Sequence, residues 1–308
     1  MSISKFLNLY KTTPLVFPFL LTSLCVVSSS AQAQSCGANI FGNGFEYGDV
    51  SDWSAQVGGA PVAAPPSVFR INSLALRDPH VFVSVDIFGC LDATDDLLLF
   101  DSINDIIDAT INTDDDQDGC LDSSLLLGFR PLETVAVGSE TVDLRGGDCA
   151  TQNQCGPGNS SPGLRNGYST AAMGLCLEPV AGTTSGYSPS PATPAAPCLL
   201  SSLGDIELAF IGGVPINLQD AQLAATFQGA PTDNLADGLI FGFLLESEAD
   251  AILLPADLPV VGGQTLSSLF PGGTGNCSGT DDRDTHETES GWWIYLDFSG
   301  SLISWPYL

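Results

Sequence analysis

Gly291-Trp292-Trp293-Ile294-Tyr295-Leu296-Asp297-Phe298 alternates strictly, so that a strand through it places Trp292, Ile294, Leu296 and Phe298 on one face and Trp293, Tyr295 and Asp297 on the other. The first set is wholly apolar and belongs in a core. The second is aromatic with one acid, which suits either a ligand platform or a strand packed on both sides. The second alternative is preferred here, because buried sandwich strands are apolar on both faces.

Working outward, the same period-two, β-branched and aromatic character recurs along the chain. It predicts strands over Val68–Leu76, Val81–Phe88, Leu125–Phe129, Thr134–Val137, Glu140–Leu144, Ala171–Leu177, Ile206–Ile211, Val214–Leu218, Gln222–Gln228, Leu239–Leu245 and Trp292–Phe298. Gly212-Gly213 between two of them is a hairpin signal. Gly and Pro punctuate the whole length. The expected fold is mainly β, an antiparallel sandwich or open barrel, with one short helix leading into an acidic loop. That helix follows from Leu99, Ile103, Ile106, Ile107 and Ile111, which line one face at the helical period, with Asp101 as N-cap. A second helix is expected over Glu246–Leu254.

The two ends of the chain and its composition bound the cellular setting. Lys5 and Lys11 precede an apolar stretch from Pro14 to Val27, and Ala31-Gln32-Ala33 has the small-x-small pattern of a signal peptidase site. The expected organisation is a signal peptide over 1–33, an N-terminal segment and linker over 34–67, and a disulfide-containing β-rich domain over 68–308. The apolar stretch is too short and too broken by Pro14, Pro18 and Ser23 to span a bilayer of ~30 Å, and no later stretch is long enough, so no membrane span is expected. Cleavage after Ala33 leaves six arginines against 36 acidic residues, a net charge of −30. Such a field repels nucleic acid and attracts cations, which excludes nucleic acid as a partner.

Of the nine cysteines, eight follow the expected cleavage point. An even count in an exported chain reads as up to four disulfides. Cys149 with Cys155, bracketing a short polar loop, and Cys176 with Cys198, bracketing a Pro/Ser/Thr-rich run, are the pairs with a local rationale. No C-x-x-C occurs, so a thiolate zinc site is not expected.

The helix runs into Asp114-Asp115-Asp116-Gln117-Asp118-Gly119-Cys120-Leu121-Asp122. Asp114, Asp116 and Asp118 fall at loop positions one, three and five, and Gly119 at six permits the sharp turn. Cys120 offers its carbonyl at seven and Asp122 stands at nine. Hard oxygens at that spacing are what Ca²⁺ requires. The loop resembles those of EF-hands, dockerins and thrombospondin-type repeats. It departs from the EF-hand at position twelve, where Leu125 replaces the bidentate Glu, and a strand follows instead of a helix. Asp92, Asp95, Asp96 and Asp108 are carboxylates from earlier in the chain that could complete the shell. The expected cofactor is a structural Ca²⁺ held by Asp114, Asp116, Asp118, Cys120 and Asp122. The stretch Gly44-Phe45-Glu46-Tyr47-Gly48-Asp49-Val50-Ser51-Asp52-Trp53-Ser54 also resembles a segment, G-F-E-x-G-D-x-S-x-W-S, of exported bacterial proteins whose functions are mostly unassigned. That resemblance covers eleven residues and implies bacterial export, not an activity.

Catalytic motifs are sparse. G-x-S-x-G, H-E-x-x-H, phosphate-loop and G-x-G-x-x-G patterns are absent from the sequence. Of the two histidines, His80 after Pro79 reads as structural, and His286 lies in a polar loop. Trp53, Trp292, Trp293, Tyr295 and Trp305 are the rings available to stack on sugars. The expected function is a secreted, calcium-stabilised, non-catalytic binding or surface protein, secreted to the medium, periplasm or cell surface, with carbohydrate or a cell-surface polymer as partner. The alternative is an extracellular carbohydrate-active hydrolase, which needs only two carboxylates at the right separation.

Overall fold

The computed structural model describes residues 66–304, apart from 86–87, 96–100, 115–119, 122, 136–139, 158–162, 212–213, 257 and 259. In chain order the elements are β1 (Ser67–Asp78), β2 (Phe82–Val85), β3 (Gly89–Asp92), α1 (Ile103–Asn112), β4 (Leu125–Arg130), β5 (Thr141–Thr151), β6 (Gln154–Pro157), β7 (Leu164–Ala171), β8 (Cys198–Ser201), β9 (Gly204–Ile211), β10 (Val214–Gly229), β11 (Thr232–Leu245), α2 (Glu246–Ala251), β12 (Asp284–His286) and β13 (Glu289–Leu302). The expected leader, the segment around Phe45 and Trp53, the Gly212-Gly213 turn and Trp305 lie outside the described residues. No helix among the described residues is long and apolar enough to cross a membrane.

The mainly β, antiparallel architecture expected from the sequence is what forms. Its ladder runs β1-β4-β5-β7-β8-β10-β11-β13, and β13 pairs back onto β1, so eight strands form a continuous ring. Every pairing in the ring is antiparallel. Closure rests on β1, which pairs through Ser67–Arg70 with β4 and through Phe69–Asp78 with β13. A ring leaves its members no unpaired edge. Three further strands are added to it, β6 on β5, β9 on β10 and β12 on β13, and β2 and β3 form a separate two-stranded sheet.

Period two explains the core. Phe69 and Leu76 of β1, Leu127 and Phe129 of β4, Val142 and Leu144 of β5, Ile240 of β11 and Trp292 and Leu296 of β13 join a single apolar cluster. Ile103, Ile107 and Ile111 of α1 join it too, the helical spacing having placed them on one face. Space in this core is tight at Gly242, where a Cβ would stand 2.7 Å from that of Leu218 and 2.8 Å from that of Ala221.

Four expectations are corrected. β10 is one strand of 16 residues, not two. Its register slips between Gln219 and Gln222, and Asp220 takes φ 46°, so a bulge turns the strand from β9 toward β8. The strand expected over Ala171–Leu177 begins at Leu164 and ends at Ala171, because only Leu164 and Tyr168 of that mostly polar stretch face the core. Residues 134–135 form a bend where a strand over Thr134–Val137 was expected. The cap of α1 is Ser102, not Asp101, in a reciprocal capping box with Asp105.

Candidate functional site

The acidic loop enters from a helix whose end is held firmly. Arg70 is fully buried and donates to the Ile111 carbonyl and, at 3.0 Å, to Asn112 Oδ1. Asn112 Nδ2 donates in turn to Asn72 O at 3.0 Å. A guanidinium on the last carbonyls complements the negative end of the helix dipole. Burial lowers the Arg70 pKa, partly offset by the charge of Asp108. Thr113 then caps α1 in an extended conformation.

The exit is held as well. Cys120 is disulfide-bonded, and Leu121 N donates to Cys149 O at 2.8 Å. β4 follows as expected, three residues after the last of the predicted ligands. Of the five predicted ligands, Asp114 and Cys120 are described and stand at the two ends of the loop. Asp116, Asp118 and Asp122 lie outside the described residues. Among the described residues, no group of three or more His, Cys, Asp or Glu has a metal-holding arrangement.

The aromatic face of β13 is not a sugar platform. Tyr295 is fully buried and Trp293 is 8% exposed, packed with Leu239, Phe241 and Phe243. The segment 172–197 lies over this face as a strap. Its base is closed by the Cys176–Cys198 disulfide, one of the two pairs expected from spacing; Cys149–Cys155 is the other. Tyr295 Oη accepts Val180 N–H at 3.1 Å and pairs with Thr183 Oγ1. Burial pushes the Tyr295 hydroxyl up to about 12. Asp297 Oδ1 accepts Ala192 N–H at 2.7 Å, and Asp78 Oδ2 accepts Ser185 N–H at 2.8 Å.

The strap also brings Tyr187 flat onto His80, with ring centroids 3.9 Å apart and planes inclined by 9°. This creates the most concentrated polar cluster the sequence did not disclose. His80 donates from Nδ1 to Asp92 Oδ2 at 2.5 Å. Burial raises the Asp92 carboxyl, but hydrogen bonds from His80 and Thr94 outweigh it and hold the group below its usual value. His80 Nε2 is buried with no hydrogen-bond partner among the described residues. Tyr187 donates to Asp282 Oδ2 at 2.5 Å, and its own pKa is pushed far up by burial and by that bond. Asp78, only 2% exposed, is raised to about 6, chiefly by burial and then by the charge of Asp282, against the lowering effect of Ser185 and His80. The Cys90–Cys277 disulfide joins β3 to the segment leading to Asp282.

A raised carboxyl binds its proton more tightly in the folded chain than in the unfolded one. Its contribution to stability is therefore complete below about pH 4 and is lost as pH rises through about 6. Asp78→Asn keeps an oxygen for Ser185 and removes the buried charge. It is expected to stabilise the protein above pH 6 by up to about 3 kcal/mol, the equivalent of roughly two pKa units, and to flatten the profile between the two values. Urea midpoints at the two ends of that range measure this; an unchanged profile would contradict the assignment.

Two further clusters complete the polar inventory. His286 Nε2 pairs with Asp220 Oδ2 at 2.6 Å, beside the rings of Phe243 and Trp293. On the outer face of β4, β5 and β7, Asp143 is approached by Arg130 at 2.9 Å, Arg165 at 2.9 Å and Arg145 at 3.9 Å. Each histidine is paired with an aspartate. The His80 cluster was not legible because its members are scattered from residue 78 to residue 282; only the adjacency of Asp78, Pro79 and His80 pointed to it. Compared with protein-family models, curated proteins and solved structures, the chain matches none.

Proposed function

We propose that this chain is an exported binding or surface protein, stabilised by one Ca²⁺ in the loop from Asp114 to Asp122, with carbohydrate or another cell-surface polymer as partner. The observation that supports it best is the clamping of that loop at both ends, by Arg70 on the α1 terminus and by the Leu121–Cys149 bond and the Cys120 disulfide at the exit. A metal between fixed ends acts as a staple. A calcium sensor instead needs a second helix free to swing, and here β4 follows in the closed ring. The high acid content suits a calcium-rich exterior, where a site of ~10⁻⁴–10⁻³ M affinity is filled.

Thermal unfolding of the oxidised protein, with excess calcium and then with chelator, tests the reading. At a calcium level about 100-fold above its dissociation constant the ion adds about 2.7 kcal/mol, or roughly 5–10 °C in midpoint for a chain of this size. Asp116→Ala combined with Asp118→Ala is expected to abolish the difference. Superimposed melts of the unaltered protein would refute the calcium staple. Polymer-binding screens belong in the calcium-loaded state.

The hydrolase reading has one observation in its favour. Asp78 stays protonated to about pH 6 near a second carboxylate, Asp282, which is the kind of pair glycoside hydrolysis uses. The strap covers that pair, however, and this favours the binding role. Release of reducing ends from neutral or acidic polysaccharides by the intact protein, lost in Asp282→Asn, would reverse the preference.

A further inference from the structure

The chain contains a single Asp-Pro dipeptide, Asp78-Pro79, at the end of β1, and His80 follows it directly. Asp-Pro is the most acid-labile of ordinary peptide linkages, for a local reason. The aspartate side chain can reach its own main-chain carbonyl carbon through a five-membered ring, and the proline nitrogen, lacking N–H, is a comparatively basic amide nitrogen. In solution the reaction needs strong acid, since the carboxyl and the leaving nitrogen must share a proton that an ordinary aspartate has lost at neutral pH.

Three features of this fold remove that requirement. Asp78 is 2% exposed, and Ser185 N–H at 2.8 Å fixes its Oδ2. Its burial keeps the proton on the carboxyl up to about pH 6. The next residue but one, His80, is oriented by Asp92 through Nδ1 and keeps a buried Nε2 that has no hydrogen-bond partner among the described residues. The ionisable groups that bear on Asp78 are His80, Asp282, Tyr187 of the strap and Tyr295, which faces Asp78 across the ladder.

We propose that the folded protein cleaves its own Asp78–Pro79 bond. An oxygen of the Asp78 side chain attacks the Asp78 main-chain carbonyl carbon, forming a C–O bond. The C–N bond to Pro79 breaks, and the nitrogen takes the proton, delivered from the carboxyl by way of His80, to leave as a secondary amine. The product on the other side is the cyclic anhydride of Asp78. One water opens it to a side-chain carboxyl and a new chain terminus, so the net reaction is hydrolysis. No lysine follows residue 11, so no lysine amine of the β-rich part competes with water for the anhydride. The cut lies where β1 ends, and β1 remains paired with β4 on one side and β13 on the other. The two pieces therefore stay assembled after the break.

Purified folded protein is incubated for several days at one pH unit below and one above the Asp78 value of about 6, then run on a reducing denaturing gel and weighed intact. The expected result is a fragment of 230 residues beginning with Pro79, its mass and that of its partner summing to the chain plus one water, and faster cleavage at the lower pH. Pro79→Ala is expected to abolish the cut. His80→Gln is expected to slow it by about 10²-fold or more and to change the pH profile, while leaving the melting transition in place. A single intact chain at both pH values would overturn the proposal. So would an equal rate for the same chain unfolded in urea, because the reaction would then be the ordinary lability of the dipeptide.

Discussion

Replacing Asp143 with alanine is expected to lower the stability of the oxidised protein by about 3–5 kcal/mol, the range for removing one partner of a buried ionic cluster. Asp143 has 1% of its side chain exposed, and three of the chain's six arginines are directed at it. Strand register explains the convergence. Asp143 lies opposite Arg165 on β7 and opposite Gly128 on β4, two residues from Arg130; Arg145 is two residues further along β5. All four side chains thus emerge on one face, while Val142 and Leu144 point into the core. Arg165 is 41% exposed, so its bond to Asp143 is screened and adds little by itself. The expected loss comes from desolvated charge on β4 and β5 deprived of its common carboxylate. Urea unfolding of Asp143→Ala and Asp143→Asn measures it. A loss under about 1 kcal/mol in both variants would show that the cluster is incidental to stability.

Removing the Cys90–Cys277 disulfide is expected to be the most damaging of the described cystine losses. Its cysteines are 187 residues apart, against 6 for Cys149–Cys155 and 22 for Cys176–Cys198. On the chain-entropy account the longest loop contributes about 5 kcal/mol and the shortest about 2. The other bridges already restrict the unfolded chain, so the observed difference will be smaller, but the order should persist. The bridge also joins β3 to the segment that carries Asp282, and so supports the Tyr187–Asp282 anchor of the strap. The paired substitution Cys90→Ala, Cys277→Ala is therefore expected to lower the melting temperature more than Cys149→Ala, Cys155→Ala. It should also increase protease cutting within 172–197. Equal melting temperatures for the two double variants would contradict the entropic ordering.

What could be read without the structure was whatever the chain settles within a few residues. Alternation from Trp292 to Phe298 marks a strand wherever that strand is placed. The isoleucines of α1 define a helical face before anything packs on it. Cys149–Cys155 and Cys176–Cys198 are legible because short loops bring their ends together. The acidic spacing from Asp114 to Asp122 is local too, and the helix before it and the strand after it form as read.

The failures were local signals overruled by distant ones. Leu164–Thr170 is too polar to announce a strand, yet β5 and β8 pair with it on either side. The two strands expected between Val214 and Gln228 are continuous because β9 holds Val214–Leu218 and β11 holds the chain from Gln219 to Gly229, with Asp220 absorbed as a bulge between them.

The sequence alone determined the mainly antiparallel β character, the helix before the acidic loop, the two short disulfides and the chemistry offered by that loop. The tertiary structure alone decided the closure of β1 onto β13, the bridge from Cys90 to Cys277, the covering of Trp293 and Tyr295, and the meeting of Asp78, His80, Tyr187 and Asp282. The physical reason is that the entropy of closing a long loop grows only as the logarithm of its length. Partners about 20 or 200 residues away are therefore comparably accessible, and strand order and packing select among them where local pattern cannot.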